Sequence, residues 1–340
     1  MFLTILDSIM KKLVFIVAMS LIQSLTYAQS IIPKHQVDHL KITILSTMLA
    51  QEGVGDWGFG ALVECDSMRI LFDSGGRKYV VRDNSKDLNI DLTRVSTVVL
   101  SHGHPDHTAG WSLLRQELSQ SNKHAFETTY VATDLFDPVV FPSGGRYDLK
   151  ADSLAYTASG GVITTLKTWK EIAPGVFLTG NDIPRIFPEK NYPASLKRLN
   201  KQGNVTRDTI PEDMSMVIVT AQGLVVLTGC GHSGTVNLIT AVKKHFPGKK
   251  VYAAIGGFHL LAASDQDIEW TAKALKEAGV RYFMGAHCTG IQPVQQIMGF
   301  AGLKRNECIV GSVGATFDPA IGFVAGQLTM GNDKNAYFKK

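Results

Sequence analysis

The chain has 340 residues, a formal net charge of +4, and 45% hydrophobic against 19% charged residues. That balance is ordinary for a globular protein and excludes a disordered or low-complexity chain. Acidic and basic residues are interspersed, with no block of five or six like charges, so neither nucleic acid nor an anionic membrane surface is expected as a partner.

At the N-terminus, Lys11 and Lys12 precede an apolar run from Leu13 to Leu25, followed by Thr26-Tyr27-Ala28. A basic region, an apolar region and a small residue in that order describe a secretory signal peptide. Residues 1–28 are therefore expected to be removed after Ala28, and residues 29–340 to form one domain in the periplasm or outside the cell. The rival reading is an uncleaved anchor. The apolar run falls short of the about 20 residues that a spanning helix needs, so no stable membrane insertion is expected after cleavage. Loss of Lys11, Lys12 and Asp7 leaves a charge of +3. Export permits disulfides among Cys65, Cys230, Cys288 and Cys308, although a chain of this length needs no staples.

In chain order, Lys41–Leu49, Gly58–Glu64 and Met68–Phe72 read as strands, the last ending in the turn Asp73-Ser74-Gly75-Gly76. Leu88–Thr93 reads as a connector. The β-branched run Val95–Leu100 suits a buried strand and leads into Ser101-His102-Gly103-His104-Pro105-Asp106-His107. Residues 108–118 look helical. Thr129–Ala132 and Val176–Thr179 read as strands, whereas residues 141–146 and 159–162 read as loops. The polar stretch 186–211 reads as one long loop over a site. Met214–Thr220 and Leu224–Thr228 form a hairpin, and strand–helix units follow. These are helix Thr235–Phe246, strand Lys250–Ile255, helix Asp265–Ala278, strand Val280–Met284, helix Pro293–Phe300 and a last strand Glu307–Val310. Two β-rich halves with strand–helix units fit two sheets packed face to face with helices outside.

Four of these strands end in glycine-bearing loops that carry His102, His232, His259 and His287, and six of the ten histidines lie in such loops. Strand C-terminal ends are where sites collect in α/β folds. His102-x-His104-x-Asp106-His107 is the densest ligand set, because imidazole nitrogen and carboxylate oxygen both suit Zn²⁺ and the short spacings let side chains reach two metals. His259 is open to three roles: ligand, substrate contact, or proton donor to a leaving group. Asp182 and Arg185 lie on a loop placed to meet substrate. Cys230 and Cys288 are expected to pack as small apolar residues, with thiolate ligation as the alternative. His35, His39, His124 and His245 are expected at the surface.

The motif His-x-His-x-Asp-His after an apolar strand, with the earlier turn Asp73-Ser74-Gly75, resembles the signature of the metallo-β-lactamase superfamily. The segments Thr228–Gly234, Gly256–Leu260 and His287–Gly290 resemble the branch that includes the ribofuranosylaminobenzene phosphate synthases and metal-dependent hydrolases of unassigned substrate. Thr179–Arg185 looks like that branch's Thr-Gly-x-Ile-Pro-Arg with one extra residue. The resemblance implies a four-layer αββα sandwich with two divalent metal ions at the sheet edge, Zn²⁺ first and Mn²⁺ or Fe²⁺ as alternatives. It also implies a ligand division: His102, His104 and His232 for one ion, and Asp106, His107 and His287 for the other. Many members place a bridging aspartate at the end of a late strand; here that strand ends Gly229-Cys230, which leaves either Cys230 at the bridge position or no bridge.

The expected function is hydrolysis of an ester, lactone, amide or phosphoester in a small molecule by metal-activated water, with Asp106 orienting the nucleophile. Flavodiiron chemistry is a poor fit, since His104 stands where those proteins carry glutamate and no flavin domain is present. RNA processing is disfavoured by the low charge. A non-catalytic metal-bearing binding protein and a synthase-type transferase remain as alternatives, and oligomeric state is not readable.

Overall fold

The protein is described by a computed structural model covering residues 33–188, 195–200 and 203–330. The expected signal peptide lies outside the described residues. Among those residues, no helix is long and apolar enough to cross a membrane.

The strands, in chain order, are β1 (Leu40–Ser46), β2 (Gly60–Cys65), β3 (Met68–Phe72), β4 (Thr97–Leu100), β5 (Thr128–Ala132), β6 (Val139–Val140), β7 (Arg146–Tyr147), β8 (Val162–Leu166) and β9 (Lys170–Ala173). They continue as β10 (Val176–Leu178), β11 (Lys197–Leu199), β12 (Val205–Arg207), β13 (Met216–Thr220), β14 (Gly223–Thr228), β15 (Val251–Gly256), β16 (Tyr282–Gly285), β17 (Cys308–Val310), β18 (Thr316–Asp318) and β19 (Gly322–Val324). One sheet has the order β19-β18-β1-β2-β3-β4-β5-β8, a second the order β17-β16-β15-β14-β13-β10-β9, and a small third the order β12-β11-β6-β7.

The layering follows from the period-2 alternation of strand side chains. Ile42 and Ile44 of β1, Val99 of β4, and Val225 and Leu227 of β14 face inward and form the core between the two large sheets. Their neighbours Leu45, Val98 and Leu100 point out of the first sheet, against helices α1 (Val80–Asp87), α2 (Trp111–Leu118) and α3 (Lys150–Ala158). Leu224 and Val226 point out of the second sheet against α4 (Thr235–His245), α5 (Asp265–Ala278) and α6 (Ile291–Ala301). Both faces of each central strand are therefore apolar, and each fully buried Val, Leu or Ile contributes about 1.5–3 kcal/mol. The result is the expected αββα sandwich.

Several elements depart from the sequence reading. The stretch 186–211 is not one loop, because β11 and β12 pair there and join β6 in the small sheet. Every residue of β12 is exposed, so no apolar alternation announces it. Helix α1 lies in a polar stretch for which the sequence predicts no element, and α3 buries only Tyr156. Glu307–Val310 is not the last strand, since β18 pairs antiparallel with β1 and β19 with β18.

What matters for the site is direction. β14, β15 and β16 run parallel to one another, so their C-terminal loops share one edge. β4 runs parallel to β3 and β5 in the other sheet. The backbone N–H of Met214 donates to the carbonyl of Ser101 at 2.8 Å, tying the entry of β13 to the exit of β4.

Candidate metal centre

The loop after β4 is shaped from beneath by Asp73, which sits at the end of β3 in a left-handed conformation (φ 59°). Its Oδ1 accepts the backbone N–H of Ser101 at 2.7 Å, and its Oδ2 accepts the Ser101 hydroxyl at 2.7 Å. The same Oδ2 lies 2.7 Å from His107 Nδ1. Asp73 thereby directs Nε2 of His107 into the site. Gly229 faces this arrangement, and a Cβ there would stand 2.6 Å from Asp73 Oδ2 and clash with Ser101. Pro105 opens the helical turn Pro105–Thr108, and the Thr108 hydroxyl donates to the carbonyl of His104 at 3.0 Å.

Two donor groups converge. His102, His104 and His232 form one, and Asp106, His107 and His287 form the other; within each, a donor atom from every residue lies within 4.8 Å of the rest. His102 Nε2 is 3.0 Å from His104 Nδ1, and the ring centroids of His102 and His232 are 4.8 Å apart. In the second group His287 Nε2 is 3.2 Å from Asp106 Oδ2, close but not aligned as a hydrogen bond. The His102 and His107 rings, 4.1 Å apart, join the two groups.

All five imidazoles are buried. His104 Nε2 and both ring nitrogens of His232 and of His287 have no hydrogen-bond partner among the described residues. A buried polar atom left unpaired costs about 1–3 kcal/mol, so this many around one point require a partner of another kind. Burial first, then the neighbouring imidazoles, holds His102 and His232 well below the usual histidine range; burial also brings His104 down to about 4. These rings are neutral, the state in which imidazole ligates metal. Burial opposes charge at His107 as well, but Asp73 and Asp106 outweigh it and push this ring up to about 9. Burial likewise works against ionised Asp106, and His107 and His287 outweigh it, holding the carboxyl well below its usual range. Neutral imidazoles, a carboxylate, and an imidazole made more basic by a hydrogen-bonded aspartate are a donor set that fits divalent cations such as Zn²⁺.

The remaining expected residues fall out differently. His259 is half-buried at φ 47°, its backbone N–H donates to Cys288 Sγ at 3.3 Å, and its ring lies 4.7 Å from that of His232. His287 shares the φ of 47°, and its N–H donates to Thr47 Oγ1 at 3.0 Å. A left-handed conformation at two non-glycine residues is strain of the sort that collects at functional sites. Arg185 reaches the centre as a brace, its guanidinium donating to the carbonyls of His232 (3.2 Å) and Ile210 (2.8 Å). Asp182 is not brought to the donors. Its carbonyl accepts the indole N–H of Trp169 at 3.3 Å, and Trp169 stacks on His245, the histidine on which the Asp182 charge acts.

Sequence reasoning missed several neighbours. Ser233 donates its N–H (2.8 Å) and hydroxyl (2.6 Å) to Asp213 Oδ2, which sets the His232 loop. Trp57, 52% exposed, packs its ring against that of His287, with centroids 4.8 Å apart. Beneath the His102–His104 turn, Arg198 bonds Asp208 (3.0 Å) and Glu212, and the N–H of Gly103 points at Glu212 Oε1 (3.4 Å). Burial pushes Glu212 up to about 7 despite Arg198. Only tertiary contact reveals these roles; the one available signal was an isolated tryptophan among the glycines of residues 53–58.

An αββα sandwich whose strand ends carry two adjoining histidine-rich donor groups that could hold metal ions is, as a class, a protein of the metallo-β-lactamase fold. Residues 62–172 match the family model of the metallo-β-lactamase superfamily. A Methanocaldococcus jannaschii protein named 7,8-dihydropterin-6-methyl-4-(beta-D-ribofuranosyl)-aminobenzene-5'-phosphate synthase is 30% identical over 287 residues, 77% of this chain and 92% of that one. Among solved structures, Tm1679, described as a metal-dependent hydrolase of the β-lactamase superfamily, has a TM-score of 0.67 at 26% identity, covering 82% of this chain and 98% of its own. The metallo-β-lactamase fold protein YhfI from Bacillus subtilis matches with a TM-score of 0.50 at 15% identity, over 83% of this chain and 100% of its own, and so speaks to the fold alone. This chain belongs to the metallo-β-lactamase superfamily.

Proposed function

We propose that the chain is an exported hydrolase that uses two divalent metal ions on an ester, lactone, amide or phosphoester of a small molecule. The observation that carries this reading is the pair of adjoining donor groups with bare, buried ring nitrogens. Two cations bound there supply a water that ionises near neutrality and a Lewis acid for the group under attack.

The residues have separable tasks. His102, His104 and His232 hold one ion; Asp106, His107 and His287 hold the other. Asp106, kept ionised by His107 and His287, is the group that orients the nucleophile by accepting a hydrogen bond from it. His259, half-buried beside His232, is assigned to the leaving group or the substrate. Arg185 keeps His232 in place, and Trp57 offers an apolar wall to the substrate. Export rests on the basic and apolar segments before Ala28.

A second reading, a synthase-type transferase, is favoured by the name of the 30% identical relative. The two separate on elemental analysis of purified protein followed by substrate screens. Two metal equivalents, one lost in His232→Ala and one in His287→Ala, with turnover of esters, lactones or phosphoesters that is abolished in Asp106→Asn, would support the hydrolase. Two equivalents, no hydrolysis, and transfer onto a ribosyl phosphate would move the synthase ahead. One equivalent or none would end the two-metal reading.

A further inference from the structure

β14 and β16 flank β15 in the parallel sheet, and the loops that follow the two outer strands meet across the loop that follows the middle one. Cys230 leaves β14 and Cys288 follows β16, and their sulfurs are 3.2 Å apart. The meeting depends on Gly257. A Cβ there would stand 2.9 Å from Cys288 Sγ and collide with the carbonyl of Gly229, so any side chain would wedge the loops apart.

Both thiols are buried, at 3% relative exposure, which fits apolar packing. Their neighbours do not. Cys230 Sγ lies 3.1 Å from His107 Nε2, the nitrogen that Asp73 turns into the site. Cys230, Cys288 and His287 each offer a donor atom within 4.8 Å of the others, and Cys230 also groups with His102 and His107. Neither ring nitrogen of His287, a residue with 0% exposure, has a hydrogen-bond partner among the described residues. One sulfur in contact with an aimed imidazole, and a second within 4.8 Å of another, are placed as ligands are placed.

We propose that Cys230 and Cys288 supply sulfur donors to the second metal position, beside His107 and His287, so that this position selects a thiophilic cation such as Zn²⁺ or Cd²⁺ over Mn²⁺. The proposal rests on the two-metal reading above and narrows it. The first position offers three imidazoles, whereas the second offers imidazole, carboxylate and thiol. Soft thiolate favours Zn²⁺ and its heavier congener, whereas Mn²⁺ is suited by carboxylate, carbonyl and water. On binding, each S–H bond gives way to a metal–sulfur bond and its proton passes to solvent, so uptake of the second equivalent releases protons.

The test uses the full mature protein, reduced and cleared of metal with a chelator, and the serine variants Cys230→Ser and Cys288→Ser, singly and together. Cobalt(II) is added stepwise while near-ultraviolet absorption is followed, and Cd²⁺ and Mn²⁺ affinities are measured in parallel. The expected result is a thiolate-to-cobalt charge-transfer band that grows with the second equivalent. It weakens in each single variant and vanishes in the double variant, which still takes up the first equivalent as the wild type does. Preference for Cd²⁺ over Mn²⁺ at the second position should fall by at least about tenfold in the double variant. Retained first-equivalent binding and far-ultraviolet circular dichroism verify that the serine variants fold. Two equivalents bound with four free thiols and no such band would overturn the proposal. So would a Cys230–Cys288 disulfide persisting in active, metal-loaded protein, for the sulfurs would then close to about 2.05 Å and cease to be ligands. Uptake of one equivalent or none by wild type and variants alike would remove the two-metal reading and this proposal with it, a result distinct from the other two.

Discussion

Asp73 and His107 are 34 residues apart in the chain, and their 2.7 Å contact decides which nitrogen of His107 faces the centre. Asp73→Asn keeps the size of the side chain but loses the charge that makes the imidazole a stronger ligand. It also forces the amide to choose between Ser101 and His107. Removal of such outer partners typically costs 10–100-fold in metal affinity, so the second equivalent should bind the variant about 10–100-fold more weakly, with the first nearly unchanged. Isothermal titration against metal-free wild type checks this, and equal weakening at both positions would mean that Asp73 merely shapes the loop. The residues of the centre were unequally legible for this reason. His102, His104, Asp106 and His107 fall in six consecutive positions, and His232, His259 and His287 each close a readable strand. The sequence marks Asp73 only as a turn former, and Asp213, Glu212 and Arg198 carry no local signature, because each acts on a segment distant in sequence.

At the level of elements, the small sheet is fastened to the metal loop through one guanidinium. Arg198 on β11 is the hinge of a sealed group with Asp208 and Glu212, and Glu212 reaches the Gly103 N–H between two expected ligands. Arg198→Leu would leave two carboxylates buried without their cation. The expected loss is about 3–5 kcal/mol at neutral pH, read from urea unfolding, and it should shrink in mild acid as the carboxyls protonate. The same group has its own pH signature. Burial, opposed by Arg198 and reinforced by the neighbouring Asp208 charge, raises Glu212 from the ordinary 4.5 to about 7, so the folded protein holds a proton that the unfolded chain releases. The stabilisation this gives is complete below about 4.5 and is lost as pH rises through about 7. Glu212→Gln, which cannot ionise, should therefore gain on wild type by on the order of 2 kcal/mol between about pH 5 and about pH 8, seen as a converging or crossing pair of Tm curves. A pH-independent gap would mean that Glu212 is ionised throughout. None of this sheet was readable in advance. β11 and β12 present almost only polar or exposed residues, and an element that buries little leaves no periodic mark, whereas β4 and β13 to β16 were plain because both of their faces are apolar.

Across the whole molecule, the two roles of the chain are kept apart. The three apolar clusters lie between and outside the large sheets, and the histidines of the donor groups sit at the rim where strand ends converge. The fold is thus expected to survive without metal, yet the metal-free rim is costly. It holds unpaired imidazole nitrogens and a charged His107 that bears on His102 and His104. Binding a cation relieves both costs in the folded state and offers nothing comparable to the unfolded chain, so metal must raise stability by mass action. At a free concentration a hundred times the dissociation constant, each site should add about 2.7 kcal/mol, several degrees in Tm for a domain of this size. The arrangement of donors divides that gain. His232→Ala should forfeit the part owed to the first position and His287→Ala the part owed to the second, each leaving roughly half of the wild-type response to added Zn²⁺ in scanning calorimetry. If both variants lost the entire response, the positions would be one cooperative unit bridged through the touching rings of His102 and His107, and the wall of Cys230 and Cys288 would then tune both ions together.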